Sequence, residues 1–245
     1  MRTKRSQQTL EPTTTSEYPS SRTGTLYVVA VPIGHPDDLT VRAIRILRTV
    51  EIIASEDPIV TQQLLAHHHI HATVTSYGPC NLKEKVRVLV QRLRQGADIA
   101  LVSDCGSPLI ADPGHLLVAA AHAHHIPVVP VPGPSAVIAA LTTAGLPCDS
   151  FYFLGHLPNS PTRIARCLTD ALKREIPTMA FCSETSIAHA LQALTVMAPR
   201  CRVVLACDLT RSSERILCGT PRQIRQKLCG RAGKDLTLII AGTRR

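Results

Sequence analysis

Carboxylates that directly follow short apolar runs are the first candidates for chemistry in this sequence. Glu56 and Asp57 follow residues 50–55, and Asp104 follows residues 98–102. A carboxylate can orient or deprotonate a substrate hydroxyl, and Asp104 could also accept a hydrogen bond from a ribose hydroxyl or an amine. Helix capping is an ordinary alternative role for Glu56 and Asp57, and their spacing leaves both interpretations open.

Three loops rich in proline, glycine and other small residues stand at the ends of apolar runs. They read VVAVPIG (28–34), LVSDCGSPLIADPG (101–114) and VVPVPGP (128–134). Ligands of open α/β sheets bind outside the carboxyl ends of the strands, and small residues let a ligand approach the backbone. Any one loop could be a simple connection, but three at successive strand ends favour a cofactor crevice. Neither a G-x-G-x-x-G after the first run nor a Walker sequence is present, so a dinucleotide or nucleoside triphosphate site is not supported.

Histidines and cysteines are numerous, but their spacing does not predict a metal site. His67, His68 and His69 are consecutive and His71 follows two positions later, so their side chains diverge, and no cysteine or aspartate has suitable spacing to complete a site. We therefore expect a solvated turn and no bound metal. The nine cysteines are scattered without a C-x-x-C pair, which favours free thiols in a reducing cytoplasm.

Composition narrows the class of protein without identifying it. The 245 residues carry a formal charge of +9 and are 44% hydrophobic, which suits a sizeable core and makes RNA a plausible anionic partner. A basic protein with no such partner fits the charge equally, and the scarcity of aromatic residues gives no sign of stacking on single-stranded bases. No apolar run reaches the length of a membrane span. Residues 1–24 are rich in serine and threonine, and we expect a disordered tail; a transit peptide is the minor alternative.

Strands and helices alternate along the first half of the chain. This pattern predicts an α/β domain over residues 25–147 that is doubly wound around a parallel sheet. Successive strands without an intervening helix near residues 202–218 predict a mixed sheet in a second α/β domain, residues 148–245. The predicted strands cover 26–31, 50–55, 73–77, 98–102, 128–131, 151–155, 178–182, 202–207, 215–218 and 235–241. The predicted helices cover 39–48, 61–67, a segment capped by Asn81 and stopped at Gly96, 116–125, 135–144, 161–175, 185–197 and 221–229.

The loops taken together resemble the tetrapyrrole-methylase superfamily, and most closely its ribosomal RNA small subunit methyltransferase I family. The similar stretches, spread over roughly residues 25–242, are LYVVAVPIG, DDLTVRAIRIL, ASEDP, ALVSDCGSPLIADPG, VPVPGPSAVIAALTTAGLP, FYFLGHLP, LACDLTR, CGT and DLTLIIAG. The resemblance implies two α/β domains with S-adenosylmethionine in the cleft between them, and a homodimer. It also implies an enzyme that methylates the 2′-hydroxyl of a cytidine in the decoding region of 16S ribosomal RNA.

The resemblance carries over unevenly to individual residues. Positions that match the family's cofactor loops are Pro32, Ile33, Gly34, Asp104, Cys105, Gly106, Pro108, Leu109, Pro132, Gly133, Ser135, Ala136, Leu209 and Thr237. Positions on the RNA side differ, since the family's E-D-T-R, S-Y-H-E-H-N, F-Y-E-S-P-H-R and A-R-E-L-T-K read EDPI, SYGPCN, FCSETSI and ACDLTR here. These changes remove cationic and imidazole groups. The chain is further expected to lack the family's small C-terminal helical extension.

On this basis Asp57 and Glu184 are the candidate general bases. His35, which replaces the family's asparagine after P-I-G, Glu56 and Arg211 are the candidate substrate-binding residues, with Arg211 contacting phosphate. Two other functions stay open. One is the same chemistry on a tetrapyrrole or another small molecule, against which P-I-G argues because precorrin enzymes usually carry a G-P-G-D-like loop. The other is a non-catalytic relative that binds cofactor or RNA without turnover.

Overall fold

The computed structural model describes residues 23–78, 82–111, 114–228 and 233–242. Two five-stranded sheets follow each other along the chain. The strands of the first sheet are β1 (Leu26–Val29), β2 (Ile52–Ser55), β3 (Thr73–Ser76), β4 (Ile99–Val102) and β5 (Val128–Val131). The strands of the second sheet are β6 (Tyr152–His156), β7 (Thr178–Cys182), β8 (Val203–Cys207), β9 (Arg215–Gly219) and β10 (Leu236–Ile240).

The first sheet is entirely parallel and has the order β3-β2-β4-β1-β5. Chain order reverses between β1 and β4, which are hydrogen-bonded neighbours. A crevice therefore opens beyond their carboxyl ends, where the loops on either side turn away from each other. All four residues of β4 are buried, as expected of a central strand that is covered by helices on both faces.

The described residues form eight α-helices, and seven of them cover the sheets in the usual way. They are α1 (Val41–Thr49), α2 (Pro58–His67), α3 (Leu82–Arg94), α4 (His115–Ala123), α5 (Ala136–Thr143), α6 (Pro161–Leu172), α7 (Glu184–Met197) and α8 (Pro221–Leu228). The first two pack on one face of the first sheet, and α3 and α4 pack on the other face. One face of the second sheet is covered by α6, α7 and α8.

The exception is α5, which lies in the first half of the chain but packs against the second sheet. Its residues Val137, Ala140 and Leu141 share an apolar cluster with Met179 and Ile239 of that sheet. Ser135 caps the amino end of the helix by accepting a hydrogen bond from the backbone N–H of Ile138. This packing brings the loops that end the first sheet against the edge of the second.

The second sheet is mixed, with the order β6-β7-β10-β8-β9. β6 and β7 are parallel, whereas β10 is antiparallel to both of its neighbours and β8 and β9 form an antiparallel pair. The prediction of a mixed sheet from the successive strands near residues 202–218 is therefore confirmed. Because β10 is antiparallel, its first residues lie at the same edge of the sheet as the last residues of β7 and β8.

The ten predicted strands and eight predicted helices are all present among the described residues, but several begin or end at other residues than predicted. α2 begins at Pro58, three residues before its predicted start, because Oδ1 of Asp57 accepts from the N–H groups of Ile59 and Val60. α6 ends at Leu172 instead of residue 175. The predicted cap Asn81, the loop residues 112–113 and nearly all of the predicted tail lie outside the described residues.

Candidate functional site

A cavity of about 520 Å³ lies between the two sheets, at the crevice that the strand order predicts. Its first wall comes from the loops that follow β1 and β4 and from the start of α5. Its second wall comes from the carboxyl ends of β6, β7 and β8 and from the start of β10. The volume is within the range of ~300–1,000 Å³ that is typical of small-molecule sites.

Hydrogen bonds join the three predicted loops to one another. The backbone groups of Val31 and Gly106 exchange two hydrogen bonds, of 2.9 and 3.1 Å. The hydroxyl of Ser107 donates to the carbonyl of Pro134 at 3.3 Å. Gly106 has a φ of +78°, and a Cβ atom there would lie 3.4 Å from Ile33. The first wall is thus a preformed backbone surface, which suits a bound ligand because little ordering is required on binding.

Asp104 is the carboxylate of the first wall. Its Oδ1 accepts a hydrogen bond of 2.9 Å from the backbone N–H of Asp57. Burial raises the pKa of Asp104 above its ordinary value, and the nearby charges of Glu56 and Asp57 act in the same direction, against the backbone hydrogen bond. The loop therefore holds a carboxylate that would gain from a hydroxyl or cationic partner.

Neither candidate base forms part of the cavity wall. Asp57 uses Oδ1 to cap α2, with distances of 2.9 and 3.3 Å to the N–H groups of Ile59 and Val60. Glu184 is the first residue of α7 and is exposed. The preceding residue, Ser183, does line the cavity, and its hydroxyl donates to Oδ1 of Asn159 at 2.6 Å.

His156 is a polar wall residue that the sequence reasoning did not identify. It ends β6, lies exposed at the cavity, and packs its ring against Phe181, with ring centroids 5.4 Å apart. Phe181 in turn makes an edge contact with Phe153 at 5.0 Å. In the sequence, His156 stands at the end of an apolar run and within the matching stretch FYFLGHLP.

Asp208 organises the other end of the second wall. This residue is only 6% exposed, and it adopts a φ of +50°. Its Oδ1 accepts from the backbone N–H groups of Lys234 at 2.7 Å and Asp235 at 3.0 Å, and its Oδ2 accepts from the Ser213 hydroxyl at 2.9 Å. Burial alone would raise the pKa of Asp208, but these hydrogen bonds outweigh it and the pKa lies below the ordinary value. Asp208 thus fixes residues 234–237, all of which line the cavity.

Arg211 and Asp235 form an ion pair beside this wall. Nε and Nη2 of Arg211 both donate to Oδ2 of Asp235, at 3.2 and 2.9 Å. Arg211 itself does not line the cavity, whereas Asp235 and its neighbour Lys234 do. The guanidinium that was predicted to contact phosphate is therefore engaged within the protein.

The two halves meet closely at Gly34 and Thr210. A Cβ atom on Gly34 would lie 2.5 Å from the carbonyl oxygen of Leu209 and 2.6 Å from the Thr210 hydroxyl. The backbone N–H of His35 donates to that hydroxyl at 2.9 Å, and Oε2 of Glu214 accepts from the N–H of Thr210 at 2.6 Å. Only glycine allows this approach of the two loops.

Some of the predicted cofactor residues line the cavity, and the others lie outside its wall. Those that line the cavity are Ile33, Asp104, Cys105, Gly106, Ser135, Ala136, Leu209 and Thr237. Those that lie outside the wall, although in the same loops, are Pro32, Gly34, Pro108, Leu109, Pro132 and Gly133. The candidate substrate residues His35, Glu56 and Arg211 also lie outside it. The wall residues that the sequence reasoning missed are Ser103, Ser107, Ile110, Ala111, Val137, His156, Phe181, Cys182, Ser183, Lys234, Asp235 and Leu236.

Among the described residues, no cluster of three or more His, Cys, Asp or Glu side chains has an arrangement that could bind a metal ion. The same residues include no helix with the length and apolar character needed to cross a membrane.

Solved structures of known methyltransferases share this fold. A cobalt precorrin-4 methyltransferase of cobalamin biosynthesis superposes with a TM-score of 0.64 at 20% identity, covering 89% of this chain and 94% of the other. A uroporphyrin-III-C-methyltransferase from Thermus thermophilus gives a TM-score of 0.63 at 18% identity, again over 89% and 94%. The predicted α/β fold of the tetrapyrrole-methylase type is thereby confirmed.

Sequence comparisons identify the family. The profile of the tetrapyrrole (corrin/porphyrin) methylases matches residues 25–224. A ribosomal RNA small subunit methyltransferase I from Xylella fastidiosa is 46% identical over 202 residues, which cover 82% of this chain and 74% of the relative. The protein of the same name from Micromonospora olivasterospora is 38% identical over 224 residues, 90% of this chain and 71% of the relative. With this identity over most of both chains, the protein belongs to the ribosomal RNA small subunit methyltransferase I family of the tetrapyrrole methylases.

Proposed function

We propose that the protein transfers a methyl group from S-adenosylmethionine to RNA of the small ribosomal subunit, at the 2′-hydroxyl of a cytidine in the decoding region. The observation that carries the proposal is the cavity between the sheets, whose first wall is built by two of the matching loops and the start of α5, in a chain 46% identical to a relative of that name. The methyl donor of this family is S-adenosylmethionine.

The residues present fit this cofactor. The wall combines a carboxylate, Asp104, which can accept from hydroxyl or ammonium groups, with apolar side chains that can cover a purine, such as Ile33, Leu209 and Leu236. Gly106 leaves open the space that a Cβ atom would occupy beside Ile33. When bound, S-adenosylmethionine supplies an electrophilic methyl group on a sulfonium ion.

The protein's part in the reaction is to position the acceptor hydroxyl and to receive its proton. Fixing the hydroxyl in line with the methyl group can by itself lower the barrier by several kcal/mol. We propose that the base is Asp57 or Glu184. Asp57 lies next to Asp104 through its backbone, and Glu184 follows the wall residue Ser183. Of the predicted substrate residues, His35 and Glu56 adjoin wall loops and are proposed to contact the RNA.

We further propose that the protein acts in the cytoplasm as a homodimer. Free thiols support the first point, since the described cysteines Cys148, Cys167, Cys182, Cys201, Cys207 and Cys218 form no disulfide. The family resemblance supports the second. Sedimentation equilibrium over a range of concentrations tests the dimer directly, because a monomer mass at all concentrations would contradict it.

The experiment that tests the reaction is methyl transfer from labelled S-adenosylmethionine to small ribosomal subunits that lack 2′-O-methylcytidine. The expected result is label on one ribose of the decoding region, located by nuclease mapping. Label on a base, or at another region of the RNA, would contradict the proposed position. If no label appears although calorimetry shows cofactor binding, the acceptor is a different molecule or the protein is not catalytic.

A further inference from the structure

Lys234 is a charged residue of the cavity wall to which the proposed function assigns no role. Lys234 is the only lysine or arginine among the described residues that line the cavity. It is exposed, and no carboxylate in the described ranges lies within ion-pair distance of its ammonium group. Within the described part of the chain, the wall formed by the second sheet thus carries one cationic side chain that is not ion-paired.

Two carboxylates close to the Lys234 backbone, Asp208 and Asp235, are engaged with other donors. The carboxylate nearest in sequence, Asp235, is held by two donors of Arg211 through Oδ2. Because this ion pair is internally balanced, Arg211 and Asp235 together contribute little net charge to the wall. Among the described residues that line the cavity, Lys234 therefore carries the one cationic side chain that no carboxylate pairs.

The backbone of Lys234 is fixed, although its side chain is long. Its N–H donates to Oδ1 of the buried Asp208 at 2.7 Å. The preceding residue, Gly233, has a φ of +96°, and a Cβ atom there would lie 2.8 Å from Oδ2 of Asp208. The exposed Lys234 side chain therefore starts from a fixed backbone position in the cavity wall.

We infer that Lys234 binds a backbone phosphate of the acceptor RNA and so positions the nucleotide for methylation. The inference rests on the proposed function. A ribose 2′-hydroxyl and the 3′-phosphate are carried by neighbouring carbon atoms, so a cleft that receives the hydroxyl also receives a phosphate at its rim. A lysine ammonium group binds phosphate as a point charge. In this role Lys234 takes the place that the sequence suggested for Arg211.

The test compares Lys234→Met, which removes the charge and keeps the aliphatic stem, with Lys234→Arg, which restores the charge. Lys173→Met is the matched control, because Lys173 is 73% exposed at the end of α6 and does not line the cavity. Binding of fluorescently labelled protein to small subunits that lack 2′-O-methylcytidine is measured between 50 and 200 mM salt. Calorimetry with S-adenosylhomocysteine measures the cofactor site separately, and methylation gives KM and kcat.

We expect Lys234→Met to weaken subunit binding about fivefold and to reduce the slope of log K against log salt by about 0.7–0.9, the value for one phosphate contact. KM for subunits should rise while kcat and S-adenosylhomocysteine affinity stay near the parent values. Lys234→Arg should recover most of the binding. Lys173→Met should leave the affinity nearly unchanged.

Three results would overturn the inference. Unchanged affinity and salt slope in Lys234→Met would show that the ammonium group meets no phosphate. A selective loss of S-adenosylhomocysteine affinity would show that Lys234 binds the cofactor's carboxylate instead. An equal loss in Lys173→Met would show a general charge effect. These results are distinct from failure of the proposed function, in which the parent protein itself neither binds nor methylates small subunits.

Discussion

Replacing Asp208 by alanine should release the second wall of the cavity while leaving both sheets formed. The carboxylate accepts two backbone N–H groups of residues 234 and 235 and one serine hydroxyl. A partly buried backbone donor that loses its acceptor costs about 1–1.5 kcal/mol, so the two N–H groups together give a loss of about 2–3 kcal/mol. Part of this loss should appear as weaker cofactor binding, because residues 234–237 line the cavity.

Asp208→Asn is the matched comparison for this prediction. An amide oxygen can still accept both N–H groups, and asparagine tolerates the φ of +50° better than other non-glycine residues. We therefore expect Asp208→Asn to lose about 1 kcal/mol and to bind S-adenosylhomocysteine nearly as well as the parent protein. Thermal unfolding and isothermal titration calorimetry measure the two effects.

The stability difference between the parent protein and Asp208→Asn should depend on pH. The pKa of Asp208 in the folded protein is below the ordinary value of 3.8, so ionisation of Asp208 stabilises the fold above that pH. This contribution is lost as the pH falls through the lower pKa of the folded state. The stability difference between the parent and Asp208→Asn should therefore shrink below about pH 4. Parent-like unfolding and cofactor affinity in Asp208→Ala would refute the reasoning.

Three further predictions concern the first wall and the junction. Asp104→Asn should weaken S-adenosylhomocysteine binding about tenfold in calorimetry yet raise the melting temperature, because the raised pKa of Asp104 marks a carboxylate whose charge is unfavourable in the free protein. Gly34→Ala should abolish cofactor binding without loss of secondary structure by circular dichroism, since its Cβ would collide with Thr210 and force the halves apart; normal binding would contradict this. Asp57→Asn should keep the cap on α2 and so cost under about 1 kcal/mol in thermal unfolding, but should stop methylation if Asp57 is the base; full activity would eliminate it.

The first wall could be predicted from sequence because its signals are local. Apolar runs that end in proline and glycine placed the loops, and the reversal of strand order brought them together at one crevice. Gly106 and Asp104 both belong to a single continuous stretch of sequence. The cap formed by Asp57 is equally local, since it involves residues two and three positions along the chain, but its position in the sequence left capping and catalysis both open and the predicted start of α2 at residue 61 missed it.

The second wall was harder to predict because it depends on strand direction and on distant pairs. Periodicity shows that β10 is a strand, but not that it runs antiparallel to β7, which is what brings Lys234 to the edge where His156 and Ser183 also lie. The ion pair of Arg211 joins residues 24 positions apart in sequence. Sequence spacing does not predict such a contact. Arg211 was therefore predicted to bind phosphate, although its guanidinium pairs with Asp235.

The packing of α5 has a consequence for how the protein can be divided. The predicted domain boundary at residue 147 follows this helix in sequence, yet its apolar face is buried against Met179, Val204 and Ile239 of the second sheet. A fragment that starts after residue 147 would expose this sheet face to water and should aggregate. The two halves are therefore expected to unfold as one cooperative unit, with little freedom for a hinge between them. During synthesis, α5 would leave the ribosome before the second sheet. Its apolar face would stay exposed until that sheet forms.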